Sequence, residues 1–415
     1  MSAARTTDEK RAASTSPEAE GEVQGVGAAD DYDRKGVYTL AGAHAAHDLY
    51  GGFLGPLLPE IQAKLNVSLT VISLMFPAQQ VPGILQPFIG AYVDRRSRKM
   101  FVVLGPALTA LSISALGLAT HVWMVLVLLF ISGISSGVFH APAVALMGEY
   151  GGRRSGKAMS IFMSGAEVAR ALAPLLITAA IAVLTLEGSA AVVVFGLAAS
   201  VILYFTVDTS ASDAARHAAP PVSLRPILSA RRTWLGALLA ITILNSIATA
   251  PYHYFLVKFL VDQGYGEWYA GTAQTIFYSA GVAGMLGGGV FSDRVGSRNT
   301  LAISMAAASP LVILYLLIEN GGWLPFLALI PASAALTAVR PQIMAISQDL
   351  MPEARGAMAG GMLAMSFVSL SITAFAFGAI ADRVGLDTAF LGVAAASALA
   401  VPFVLILPKR QPAHA

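Results

Sequence analysis

The chain has 415 residues, 56% of them hydrophobic and 12% charged, with a formal net charge of +2 and a mean hydropathy of +0.68. That composition lies far outside the range of soluble globular proteins and points to a membrane protein. Cysteine is absent, which excludes disulfides, thiolate metal sites and cysteine nucleophiles.

Residues 1–35 are polar, small and mixed in charge, and they read as a disordered tail. They lack the basic start and immediate apolar core of a cleavable secretory signal, so the first membrane helix is expected to be retained. Apolar spans follow near 37–58, 68–93, 100–119, 121–147, 158–184 and 188–207. A second set lies near 233–258, 268–291, 299–318, 322–346, 356–381 and 386–407. Spans of about twenty residues or more fit helices crossing roughly 30 Å of hydrocarbon, and not the short alternating segments of a barrel. Between the sets, "DTSASDAARHAAPPVSLRPILSARR", residues 208–232, is the longest polar interruption in the body of the chain. The expected architecture is an all-α membrane protein with twelve transmembrane helices in two six-helix bundles, 36–207 and 233–408. A linker, 208–232, joins them, and 409–415 form a tail. About 21 of the 26 Lys and Arg fall in the tails, the linker and the loops near 94, 153, 294 and 355, which places both termini in the cytoplasm.

The halves repeat. "GAYVDRRSRK" (90–99) and "GVFSDRVGSR" (289–298) both run G-x-x-x-D-R-x-[GS] and reach an Arg within two further positions, at an offset of 289 − 90 = 199 residues. Both follow the second span of their half, as in transporters built from structural repeats. The expected gate residues are Gly90, Asp94, Arg95 and Arg98 in one copy and Gly289, Asp293, Arg294 and Arg298 in the other. Gly would let two helices approach, and Asp would cap a helix or pair with a nearby Arg.

Two halves with this duplicated loop resemble the major facilitator superfamily over residues 37–407. A closer likeness is to the fosmidomycin-resistance branch of bacterial efflux transporters. It is carried by "AHAAHDL" on the first span, "LQPFIGAYVD" on the second, "GVFHAPA" on the fourth, "AMSIFMSG" on the fifth and "SQDLMPEARGAMAGG" before the eleventh. The resemblance implies alternating access around a cavity lined by the first, fourth, seventh and tenth spans, with exchange of protons for substrate. The chain departs from the efflux pattern at Ala173-Pro174, where Gly-Pro is usual, and at His140-Ala141-Pro142, which lacks the carboxylate of His-Pro-Glu. Glu167, Arg170 and Arg340 are charges outside the branch pattern.

His44, His47 and Asp48 stand at i, i+3 and i+4, so all three share one helical face. At 1.5 Å per residue His44 lies roughly 10 Å and Asp48 roughly 16 Å into the first span, and His140 lies at a depth similar to His44. Charges so deep normally face protein or a wet cavity. Asp48 with His44 and His47 therefore form the candidate proton-coupling site, with His140 as partner or substrate contact. The alternative is a satisfied polar cluster that joins the first and fourth spans.

Glu167 and Arg170, three apart, read as a buried ion pair, or Arg170 is free to meet an anion. Arg340 either snorkels to the interface or binds an anion from the cavity wall. Asn245 and Gln274 are further candidate substrate contacts, and Tyr252, His253, Tyr254 and Lys258 read as interfacial anchors. Gly51, Gly52, Gly55 and Pro56 favour either a bend or close packing, and Pro77, Pro82 and Pro87 a kink. No Walker-type loop or H-E-x-x-H spacing is present, so neither ATP hydrolysis nor a zinc enzyme is expected. The Gly-rich run 280–290 reads as helix packing. No cofactor and no metal are expected. The partners are a small-molecule substrate, protons and membrane lipid, with no nucleic acid, and the chain is expected to be a monomer in the bacterial inner membrane. The functional expectation is a proton-coupled exporter of a small anionic or amphiphilic compound. An uptake symporter and a non-transporting receptor or scaffold are the alternatives.

Overall fold

The computed structural model describes residues 32–85, 92, 98–152, 155–209, 231–318, 322–351 and 355–408. Its regular elements among these are all helical. In chain order they are α1 (Arg34–Leu49), α2 (Leu54–Leu65), α3 (Leu69–Ile72), α4 (Met75–Gln80), α5 (Arg98–Ser114), α6 (Val122–Gly151), α7 (Ser155–Gly188) and α8 (Val193–Thr206). After residues 210–230 come α9 (Arg232–Tyr254), α10 (Leu256–Asp262), α11 (Glu267–Val295), α12 (Ser297–Leu317), α13 (Leu324–Leu350), α14 (Arg355–Val384), α15 (Leu386–Ala394) and α16 (Ala396–Ile406). Nine of the described helical segments are long and apolar enough to cross a membrane.

Several expected spans are broken. The first runs through a 3-10 turn, Tyr50–Phe53, between α1 and α2. Gly51 and Gly52 weaken the α-helix there, since glycine has the most backbone freedom to lose. Gly52 also packs: a Cβ on it would stand 2.5 Å from Ala173 Cβ. The bend and the close packing are thus two sides of one feature. The second expected span is divided into α3, α4 and a 3-10 turn, Val81–Leu85, because Pro77 and Pro82 lack the amide hydrogens an α-helix needs. Pro87 lies outside the described residues. Breaks at Phe255 and Ala395 divide two further expected spans. Single glycines with φ of +86° and +84°, Gly296 and Gly385, turn α11 into α12 and α14 into α15, a conformation that other residues adopt only with strain.

The apolar core is unevenly shared. One cluster, with Val37, Leu40, Phe139 and Phe162, draws only on residues before 210. Another, with Leu238, Ile241, Leu301 and Val404, draws only on residues after 230. Both lie toward the end at which the described residues begin, near Tyr32, and finish, near Pro408. At the far end a third cluster is continuous across the two sides and includes Phe53, Phe76, Phe255, Phe277 and Phe377. There the Phe76 ring lies 4.3 Å from that of Tyr254 and 5.2 Å from that of Phe255. Asp382 on α14 reaches across to α3: its carboxylate accepts from the backbone N–H of Leu69 at 3.2 Å and of Thr70 at 3.3 Å, and from the Thr70 hydroxyl at 2.6 Å. These first-turn amides have no partner inside their own helix, so the carboxylate both caps α3 and ties the two sides together.

Within the second side, α11 and α13 approach through a glycine seam. A Cβ on Gly284 would stand 2.3 Å from Ala334 O, and one on Gly288 would stand 2.9 Å from Ala338 Cβ. Thr337 donates to Gly281 O at 2.9 Å along the same seam. The Gly-rich run is therefore a packing surface, as its place in an apolar span suggests.

Two predictions follow from this packing. Gly284→Val is expected to cost about 1–3 kcal/mol by overpacking, whereas Gly289→Ala, into open space, is expected to be neutral or mildly stabilising; thermal unfolding in detergent compares them. Spin labels at Thr120→Cys and Trp323→Cys, both exposed at the far end, read the separation of the two sides without background, because the chain has no cysteine. Asp382→Ala is expected to lengthen and broaden that distance. A distribution unchanged from the parent would show that Asp382 does not hold the seal.

Candidate functional site: a charged cavity between the two sides

A cavity of about 270 Å³ lies between the two sides. The first side lines it with Asp48 from α1, His140 from α6 and Glu167 and Arg170 from α7, and the second with Asn245 from α9 and Arg340 from α13. Asp48 stands at the centre of the polar cluster. Its Oδ1 lies 3.3 Å from His140 Nε2 and 3.8 Å from His47 Nδ1, and its Oδ2 lies 3.5 Å from His44 Nε2 and 3.3 Å from Arg170 Nη1. Arg170 also pairs with Glu167. The guanidinium thus bridges two carboxylates, which balances two anions that would be costly to bury alone.

The histidines are held from behind. His44 Nδ1 lies 2.9 Å from Phe162 O, and His140 Nδ1 lies 2.8 Å from Ser136 O. A carbonyl only accepts, so both Nδ1 atoms carry hydrogen. The His44 ring stacks on Phe162 with centroids 3.8 Å apart, and the two Nε2 atoms face each other at 3.1 Å. His47 is 4% exposed and its Nδ1 has no hydrogen-bond partner among the described residues. On its other edge Thr109 Oγ1 lies 3.4 Å from Nε2. His44, Asp48 and His140 bring three ligand-type atoms within 4.8 Å of one another. That set does not suit a divalent ion, because the Arg170 guanidinium already stands against the carboxylate and would repel it at close range.

Arg340 faces the cavity and makes no hydrogen bond or ion pair with any described residue. It does not snorkel to the interface. Asn245 is buried at the cavity wall, and its Oδ1 has no hydrogen-bond partner among the described residues. Gln274, expected as a substrate contact, lies elsewhere: it is fully buried and donates to Tyr252 O at 2.8 Å, satisfying a carbonyl near the end of α9. Tyr252 and Tyr254 are not interfacial anchors. The Tyr252 ring is buried 5.7 Å from that of Phe277, while His253 and Tyr254 reach the cavity. Lys258 pairs with Asp262.

The sequence carried a signal for the α9 face that a single residue did not convey. Thr242, Asn245, Ser246, Thr249 and His253 stand at i, i+3, i+4, i+7 and i+11 and all line the cavity. The three hydroxyls donate to carbonyls four residues back, at 2.8–2.9 Å. Asn245, His253 and Arg340 are therefore second-side groups with unspent polar capacity at the wall among the described residues.

Of the duplicated loop, Gly90, Asp94 and Arg95 lie outside the described residues. Arg98 pairs with Glu149 at 2.7 Å. In the second copy Asp293 and Arg294 occupy the last turn of α11, and Arg298 donates to Val404 O at 3.1 Å and Leu405 O at 2.6 Å, which fastens α12 to α16. Gly289 meets no neighbour, so close approach is the work of Gly284 and Gly288 instead.

Comparisons with known proteins agree with this architecture. The chain is 24% identical over 386 residues to the uncharacterized MFS-type transporter YfnC of Bacillus subtilis, covering 89% of this chain and 91% of that one. It is 24% identical over 358 residues to the fosmidomycin resistance protein of Escherichia coli, covering 84% and 86%. Among solved structures, a bacterial homologue of the human lysosomal transporter Spinster, in an inward-facing and occupied conformation, superposes with a TM-score of 0.77. Its sequence identity is 14%, and the match covers 91% of this chain and 98% of that one. The family described as the Major Facilitator Superfamily matches residues 40–371, so the chain belongs to that superfamily of membrane transporters and has its fold.

Proposed function

We propose that the protein is a proton-coupled exporter of a small anionic or amphiphilic compound, working by alternating access in the bacterial inner membrane with both termini in the cytoplasm. The observation that carries this reading is Arg340, a guanidinium open to the cavity and without a hydrogen-bond or ion-pair partner among the described residues, opposite a cluster that mixes a carboxylate with imidazoles. A planar fork of donors at a cavity wall suits a carboxylate, phosphate or phosphonate. Asn245 Oδ1, in the same cavity and without a hydrogen-bond partner among the described residues, adds an acceptor for a substrate hydroxyl or amide. The name of the Escherichia coli relative, a resistance protein, supports outward transport. The asymmetry of the cores, separate toward the termini and fused at the far end, supports rocking of the two sides about the cavity.

One observation favours a second reading, uptake by symport. The Asp48 carboxylate opposes an anion in the cavity until positive charge on the neighbouring imidazoles offsets it, so proton and anion would bind together. Export by exchange requires the opposite, competition between them.

Reconstituted in proteoliposomes with a panel of small organic anions, Arg340→Gln is expected to weaken binding of the anionic substrate about 10-fold or more, the loss of a charged hydrogen bond worth roughly 1.5–3 kcal/mol. An unchanged affinity would remove Arg340 from the site. A pH gradient imposed on the parent protein sets the direction: a gradient acid on the cytoplasmic-loop side drives exchange one way and symport the other.

A further inference from the structure

We propose that one proton is shared between the Nε2 atoms of His44 and His140, and that this imidazole pair, with Asp48 kept ionised beside it, is the proton carrier. The inference rests on the proton-coupled reading above and changes which group holds the proton.

The argument is an inventory of hydrogens. Both Nδ1 atoms are committed as donors, His44 to Phe162 O at 2.9 Å and His140 to Ser136 O at 2.8 Å. Each neutral imidazole has a single N–H, so two neutral rings held this way would point bare lone pairs at each other across 3.1 Å. That separation is a hydrogen-bond distance, and a hydrogen bond needs one donor and one acceptor. One added proton supplies the donor: a covalent N–H forms on one Nε2 while the other accepts from it. Two added protons would set two cations against each other at the same distance.

The charges facing the pair lead to the same count. From α1 come Asp48 and His47, from α7 Arg170 and Glu167, and Arg340, His253, Tyr254 and Tyr278 face the cavity from α13, α9 and α11. Glu167 and Arg170 offset each other. Asp48 is then balanced by one proton on the imidazole pair, and the cluster of the first side is neutral in that state. Asp48 itself has no need of the proton, because Arg170 Nη1 stands 3.3 Å from its Oδ2.

The pair is also asymmetric. His44 is 2% exposed, and His140 is 25% exposed at the cavity wall. The proton therefore enters and leaves through His140 and is stored toward His44. On release the N–H bond at Nε2 breaks and the proton passes to cavity water, leaving both rings neutral with their Nδ1–H bonds intact.

The test uses the full chain labelled with nitrogen-15 histidine in lipid nanodiscs, observed by NMR near neutral pH. Asn is the informative substitution, since its amide keeps a donor near Nδ1 and deletes Nε2. In the parent, His44 and His140 are expected to show protonated Nδ1 atoms and Nε2 signals averaged between protonated and bare. His140→Asn is expected to convert His44 to a neutral ring with a fully bare Nε2, and His44→Asn to do the same to His140. Two fully protonated Nε2 signals, or a His44 spectrum indifferent to His140→Asn, would overturn the proposal. In proteoliposomes His44→Asn and His140→Asn are each expected to abolish substrate-driven proton movement, while a monodisperse elution profile and a thermal unfolding transition like the parent's show that each variant is folded. Proton movement surviving in both variants would sink the shared carrier alone. Absence of proton movement with substrate in the parent would sink the coupled reading, and the NMR result would still decide where the proton sits.

Discussion

A carboxylate buried between two apolar walls has to be answered by positive charge, and in this protein the answer comes from three helices at once. Asp48 on α1 meets His140 from α6 and Arg170 from α7, with His44 and His47 of its own helix behind it. An unpaired anion at such depth costs several kcal/mol, so the cluster fixes how α1, α6 and α7 sit relative to one another. The α-helix gives way to the 3-10 turn directly after Leu49, one residue beyond the carboxylate. The same stretch of chain therefore holds the charge and carries the bend.

The two sides contribute unlike chemistry to the cavity. The first side brings ionisable groups that pair with one another around Asp48. The second brings hydroxyls whose hydrogens are spent on their own helix, together with Asn245, His253 and Arg340, which keep unspent polar capacity among the described residues. Such a division suits a carrier, because an internally balanced cluster can change its protonation while unsatisfied groups opposite await a ligand.

Much of this was legible in the residues. The i, i+3, i+4 spacing of His44, His47 and Asp48 placed them on one face, and the depth arithmetic put His140 at a depth similar to that of His44. The superfamily was legible from the duplicated loop and the branch-like segments. What could not be read was tertiary. Glu167 and Arg170, three apart on one helix, look complete as a pair, and nothing local shows that Arg170 also reaches Asp48, more than a hundred residues away. Gln274 and Tyr252 look like cavity or interface residues by polarity, yet one is used to satisfy a carbonyl and the other to fill an aromatic core. In the duplicated loop the glycine drew attention by its register, but Gly288, one residue earlier, and Gly284, five residues earlier, make the close approach. Register marks descent from a repeat; it does not mark which copy of a residue carries the packing.

The continuous apolar cluster at the far end has a thermodynamic consequence of its own. Parting the sides there would wet the rings of Phe76, Tyr254, Phe255 and Phe377, while parting them near the termini leaves two cores intact. Hydration of that apolar surface raises heat capacity, so any equilibrium between a form closed at the far end and one parted there is curved in temperature. Cooling weakens the apolar closure, and the far side becomes progressively easier to open in the cold.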